Sequence, residues 1–282
     1  MKIPEAWKRR PGAGGTGQSL IDHVCHEAAD VYHTKAKDFL SSHRLAAFRE
    51  CPLLYHRQQT GQIQDEDRPA YLIGRAAHSL IPEGREAFQR EYAVGGPINP
   101  KTGAPFGTGT KAFAEWAAAQ SKAVLTDDQA LLVEEMNAAV RAHTLASSLL
   151  AEGVAEGVVR CDYQGIACQI RLDWLHPQRG IVDLKTCDNL MWFEAEARRF
   201  GYLHQLSFYR AVLAQVAGQL VPLHLIAVEK REPFRCAVWL VGQDVLGAAQ
   251  RENEEAIDRL KRCRQLDQWP TGYEEIRTFD YL

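Results

Sequence analysis

The sequence predicts an α/β protein: a mixed central β-sheet flanked by helices, with a helical N-terminal half. Three observations carry that expectation. Apolar residues recur at helical spacing from about residue 19 to 150. Short β-branched runs separated by turn residues follow from 154. Beyond 190 the pattern reads helix, strand, strand, helix, which makes the second half β-β-β-α-β-β-α. With 282 residues, 46% hydrophobic and 24% charged, the chain can bury a sizeable core.

Residues 1–18, with Pro4, Pro11, Gly12, Gly14, Gly15 and Gly17, read as a flexible arm. Residues 19–282 read as one domain, with 19–150 mainly helical and 151–282 holding the sheet. Ser41 and Ser42 can cap a helix carrying Leu45, Phe48 and Leu53/Leu54, with Pro52 marking a break or a new first turn. An Asp/Arg/Pro-rich turn at 65–69 precedes a helix with Leu72, Ile73, Ala76, Ala77, Leu80 and Ile81 on one face. Residues 95–110 form a Gly/Pro/Thr-rich loop long enough to suggest a functional or partner-facing use. Helices are expected at 111–123 and from Thr126-Asp127-Asp128 to about Leu150. Val154–Tyr163, Gly165–Leu175 and Ile181–Thr186 read as consecutive hairpin-linked strands. A helix at about 193–217, strands at 223–230 and 235–241, and a charged amphipathic helix at 243–266 complete the pattern.

Lys plus Arg is 33 against 36 for Asp plus Glu, a formal net charge of -3. That excludes a uniformly basic, histone-like binder, but a local basic groove can sit on such a body. No apolar run approaches the roughly 18–20 residues of a membrane span, and Met1 to Gln18 lacks the apolar stretch of a secretory signal. Seven scattered cysteines read as reduced thiols of a cytoplasm-like compartment.

The chemistry concentrates in Arg171-Leu172-Asp173-Trp174 and Ile181-Val182-Asp183-Leu184-Lys185-Thr186. Strand side chains alternate, so Asp183 and Lys185 share one face while Val182 and Leu184 share the other. Asp173 lies one five-residue turn earlier, and hairpin pairing would bring its carboxylate toward that of Asp183. A divalent cation on oxygen ligands would resolve the repulsion, and Mg²⁺ suits a sparse site. Lys185 could orient or help deprotonate an attacking water, or stabilise charge on a phosphate. An isolated D-x-K is common on charged hairpin edges; the preceding Asp and the apolar flanks distinguish this one. Gly74-Arg75-Ala76-Ala77-His78 puts a histidine on a small-residue helix face, where close backbone approach is possible. Gln205 and Tyr209, spaced i,i+4, share a helix face. Glu156 opens the first strand and offers a further carboxylate.

These residues resemble the PD-(D/E)xK nuclease superfamily, and within it the phage-type exodeoxyribonuclease VIII (RecE-like) branch of the RecB-like nucleases. The resemblance runs from Tyr32-His33 to Trp269-Pro270. It includes LSSHRLAAFRECPLLYHRQQTG (40–61), LIGRAAHSLI (72–81), NPKTGAPF (99–106) and GIACQIRLDWL (165–175). It continues through IVDLKT (181–186), YLHQLSFYRAVL (202–213) and AVEKREP (227–233). It implies a restriction-endonuclease-like core. His78, Asp173, Asp183 and the Leu184 carbonyl are implied as metal ligands and Lys185 as the lysine that activates water. Gln205 and Tyr209 are implied as the QxxxY pair that positions DNA, and Glu156 as a supporting acid.

The implied activity is Mg²⁺-dependent (Mn²⁺ possible) degradation of one strand of linear duplex DNA from its 5′ end. Mononucleotides would leave, and a 3′ tail would remain for phage-type recombination. Expected phosphate contacts are Arg44, Arg49, Arg57, Arg75, Arg198 and Arg199. Relatives form trimeric or tetrameric rings around DNA and work beside a single-strand annealing protein, so a homo-oligomer and such a partner are expected. The expected location is the cytoplasm of a bacterial host, the gene being phage-type. The cysteines lack the clustering of an iron–sulfur nuclease. An endonuclease on the same core, or a DNA-binding protein that has lost the chemistry, are the alternatives.

Overall fold

A computed structural model describes residues 19–63 and 71–278. The arm at 1–18 and the turn at 65–69 lie outside the described residues. The helical half contains α1 (Ala29–Thr34), α2 (Ser42–Glu50), α3 (Pro52–Gln59), α4 (Tyr71–His78) and α5 (Arg85–Glu91). Strand β1 (Tyr92–Val94) pairs in parallel with β2 (Ala123–Leu125), which follows α6 (Lys111–Ala118). Then come α7 (Asp127–Ala142) and α8 (Thr144–Leu149), and strands β3 (Val154–Tyr163), β4 (Ile166–His176) and β5 (Gly180–Cys187). Helices α9 (Phe193–Arg199) and α10 (Tyr202–Ala217), strands β6 (Leu223–Glu229) and β7 (Cys236–Leu240), and α11 (Gln243–Leu266) complete the chain.

Local signals explain most boundaries. The Ser41 side chain accepts from the Arg44 amide, and Pro52 opens α3 as a separate helix. In α3 the buried residue is Tyr55, while Leu53 and Leu54 are only half-buried. Thr126 and Gln129 close a reciprocal cap on α7, each side chain bonding the other's amide at 3.2 and 2.9 Å. The helix expected to reach Leu150 is instead two: the chain turns out at His143, whose ring Nδ1 accepts the Ala146 amide and starts α8. The 111–123 helix stops at Ala118, because Ala123–Leu125 is taken by β1. The 193–217 helix divides at Gly201, whose φ of 69° suits a glycine. The small parallel pair and α5 carry no strong local pattern and were not expected.

The main sheet is mixed, in order β3-β4-β5-β6-β7, antiparallel except for the parallel β5–β6 pair. Alternation splits its buried residues between two layers. Ile181, Leu223, Leu225 and Ala227 join a core with α2, α10 and α11. Val182, Leu184, Ile226 and Val228 join the other, with α4, α7 and α8. The segment before α2 seals the far edge: Cys25 bridges Val158 on β3, and Glu27 pairs with the buried Arg160. Among the described residues no helix is long and apolar enough to cross a membrane.

Candidate active site

The central feature is a row of three carboxylates across three adjacent strands. The β3–β4 register pairs Ala155 with Trp174 and Gly157 with Leu172, which sets Glu156 opposite Asp173. The β4–β5 register ends at Trp174 with Val182, which sets Asp173 opposite Asp183. The ladder is interrupted at both positions. Glu156 takes a left-handed φ of 53°, a strained choice for a glutamate. Alternation slips on β4 too, since Leu172 and Leu175, three apart, join the same core. The Asp173 carboxylate replaces the missing ladder bond: its Oδ2 accepts the Leu184 amide at 2.9 Å. Like charges side by side on a sheet repel, and the surrounding cations answer that repulsion.

Each acid has its own compensation. Lys185 forms an ion pair with Asp183, which is 1% exposed. The His78 Nδ1 lies 3.2 Å from Asp173 Oδ2. Arg171, two residues before Asp173 on β4, pairs with Glu156 at 2.5 Å. Burial works to raise the Asp173 carboxyl, but the His78 charge and hydrogen bond outweigh it and hold it down at about 2. Burial pushes Asp183 up to about 6, with Asp173 adding and Lys185 opposing. Burial and the Asp173 charge push Glu156 up to about 8. Burial works against the Lys185 ammonium, but Asp183 and Asp173 outweigh it, so the lysine is raised and stays protonated. Near neutrality Asp173 is therefore ionised, Asp183 largely so, and Glu156 mostly protonated.

The helical layers complete the site. A Cβ at Gly74 would meet Thr186 Oγ1 at 3.6 Å, so α4 lies close against β5 and delivers His78. On α10 the Gln205 amide nitrogen donates to the Tyr209 hydroxyl at 2.8 Å. Burial raises the Tyr209 phenol, reinforced by the Asp183 and Asp173 charges, which puts that hydroxyl within their field. Tyr202 shares this helix face, and Lys185 Nζ stands 5.0 Å from its ring centroid. A cavity of about 620 Å³ opens beside Glu156, bordered by Glu83, Arg90, Glu91 and Arg171.

The structure thus gathers His78, Asp173, Asp183, Lys185, Gln205 and Tyr209, with Glu156 at the margin. Leu184 buries its side chain in the opposite layer and contributes its amide to Asp173; its carbonyl lies in the peptide stretch between Asp183 and Lys185. Among the described residues no three His, Cys, Asp or Glu side chains form a preassembled metal cage. The carboxylates are drawn onto His78 and Lys185 instead. The residues still fit a hard cation, because Asp183 Oδ2 is buried without a hydrogen-bond partner while Oδ1 faces the Lys185 ammonium. The Asp oxygens and the His78 nitrogen could hold such an ion.

The arginines divide. Arg44 donates to the Ala36 and Phe39 carbonyls, and Arg49 lies 2.7 Å from the His204 ring and 3.1 Å from Glu252. Both tie elements of the fold together. Arg57, Arg75, Arg198 and Arg199 are exposed, Arg198 beside Glu194 at 3.6 Å. Arg171 and Tyr202 were missed by sequence reasoning. Signals existed: Arg171 alternates with Asp173, and Tyr202 precedes Gln205 by three.

Comparison with known proteins bears on the fold and the family. A protein of Eubacterium rectale, provisionally named an exonuclease, superposes over 92% of this chain and 97% of its own, at TM-score 0.65 and 16% identity, which establishes a shared fold. LHK-Exo, solved in complex with dAMP, aligns over 85% of this chain and 98% of its own at 13% identity, but at TM-score 0.34 it carries no argument. No curated protein sequence matches the chain. A family described as a PDDEXK-like domain of unknown function (DUF3799) matches residues 41–280. The chain has a PD-(D/E)xK nuclease fold and belongs to that family.

Proposed function

We propose that the chain is a Mg²⁺-dependent exodeoxyribonuclease that resects linear duplex DNA from 5′ ends, releasing mononucleotides and leaving a 3′ tail. The observation that supports it is the row Glu156–Asp173–Asp183 beside Lys185, with a buried Asp183 Oδ2 that lacks a hydrogen-bond partner. A divalent ion bound there would polarise the phosphate and favour a nucleophilic water.

The protein's own groups supply the rest. Protonated Lys185 donates toward the phosphate or the water and offsets charge as it builds on phosphorus. It does not act as the base while Asp183 and Asp173 hold its proton. Asp173, kept ionised by His78 and the Leu184 amide, holds the strands in register around the reacting atoms. Gln205 and Tyr209 present an amide and a phenol toward the strand. Glu156, at the margin of the row, is the proposed supporting acid of the metal site. Arg57, Arg75, Arg198 and Arg199 are the proposed phosphate contacts. A ring of copies and a strand-annealing partner in a bacterial cytoplasm belong to the same reading.

The test is digestion of duplexes labelled separately at each 5′ and 3′ end, alongside intact circles, with Mg²⁺, Mn²⁺ or chelator. Metal-dependent mononucleotide release from 5′ ends, sparing circles, is expected. Cutting of circles would favour an endonuclease, and no hydrolysis with either metal would overturn the assignment.

A further inference from the structure

A line of rings runs from the site to the surface. Lys185 Nζ stands 5.0 Å from the Tyr202 centroid, the Tyr202 and Phe200 centroids are 5.9 Å apart at 34°, and Arg199 Cζ is 5.5 Å from the Phe200 ring. Tyr202 is half-buried, whereas Phe200 is 57% exposed. Gly201 between them, at φ 69°, makes the sharp turn from α9 to α10 that sets both rings on one ramp. Among the exposed apolar side chains, Phe200 stands beside an arginine at the end of a path leading to Lys185. A nucleobase has a π-face for such a ring and a phosphate for such a cation.

We propose that Phe200, with Tyr202 behind it and Arg199 beside it, is a stacking platform for an unpaired DNA base next to the phosphate at Lys185. This rests on the nuclease reading and deepens it. The platform would take the base of the strand being cut, out of its duplex partner. A ring offers no donor or acceptor pattern, so the grip would be indifferent to base identity. The charge is complementary: the exposed flank is cationic and the ligand anionic. The platform is also continuous with the site rather than an isolated apolar patch.

The test compares wild type, Phe200→Ala and Phe200→Trp on end-labelled DNA, with substrates that carry or lack a base at each terminal position. A lost stack should raise KM for Phe200→Ala by about tenfold, within the 5- to 100-fold range that base–aromatic stacks span, with kcat little changed. Phe200→Trp should restore it. One abasic position should cost wild type a similar factor and cost Phe200→Ala almost nothing further, since the two changes remove one interaction. In chelator, 2-aminopurine at that position should be quenched by wild type and Phe200→Trp but not by Phe200→Ala.

Unchanged KM and quenching in Phe200→Ala would overturn the platform while wild-type hydrolysis left the nuclease reading intact. A shift in oligomeric state without a KM effect would overturn it as well, by making the ring a contact between copies. Should wild type hydrolyse no DNA, the nuclease reading falls; loss of quenching in Phe200→Ala would still support the stack, and equal quenching would refute it.

Discussion

Removing one member of the Asp183–Lys185 pair tests whether this buried charge arrangement is as tightly balanced as its geometry implies. Asp183 is 1% exposed and Lys185 13%, and apart from Lys185 neither Asp183 oxygen has a partner to fall back on. Lys185→Met leaves a carboxylate inside the fold with no cation on it. Asp183→Asn leaves a largely buried ammonium with only Asp173 nearby. Breaking such a pair from one side costs about 3–5 kcal/mol, whereas replacing both partners leaves no orphaned charge and costs much less. For a chain of this size each kcal/mol shifts Tm by roughly 2–4 °C, so the single variants should melt about 6–20 °C early. The double variant should recover most of that loss. Urea unfolding in chelator, analysed as a double-mutant cycle, reads the coupling directly. The Lys185→Met deficit should shrink as pH falls, because the Asp183 carboxyl, no longer held down by Lys185 and so raised above the wild-type value of about 6, takes up a proton and sheds the orphaned charge. Two single variants each within about 1 kcal/mol of wild type, adding without coupling, would refute the reasoning.

Three other outcomes follow from the same coordinates. Glu156 holds a proton in the fold up to about 8 that an unfolded chain releases near 4.5, so stability should fall as pH rises through that window; thermal melts from pH 4 to 9 should show this slope flattened in Glu156→Gln. Asp173 runs the other way: its carboxyl, depressed to about 2, adds stability that should disappear as pH falls from about 4 toward 2, and acid melts of Asp173→Asn should lack that final loss. At Gly180 the φ is 78° and a Cβ would meet the Pro222 carbonyl at 2.2 Å, so Gly180→Ala should lose about 3 kcal/mol in urea and loosen the hairpin that brings Asp173 to Asp183.

The candidate site was legible to different depths at different residues. Asp183 and Lys185 are two apart on a β-branched strand, and period-two alternation alone puts them on one face. Asp173 was within reach because the five-residue turn after it leaves a hairpin as the economical connection. His78 was marked by the small residues before it, and Gly74 does lie against Thr186. Gln205 and Tyr209 needed only helical spacing. Glu156 was visible as an acid at a strand start, but its left-handed backbone and proton-holding environment come from neighbours on other strands. For Arg44 and Arg49 the sequence says nothing about the partners they hold within the fold. Their partners are carbonyls and a glutamate distant in sequence or on another element.

What the sequence by itself determined is the type and order of the strands of the main sheet, because alternation and turn chemistry are local and survive any packing. It also determined which atoms could do chemistry. The tertiary structure decided how those atoms stand. It interrupted two ladders so that three carboxylates face one another, assigned each a cation, and spread their proton affinities from about 2 to about 8. Such differences arise from charges a few ångströms apart in a medium of low dielectric, and that proximity exists only after strands and helices remote in the chain have packed.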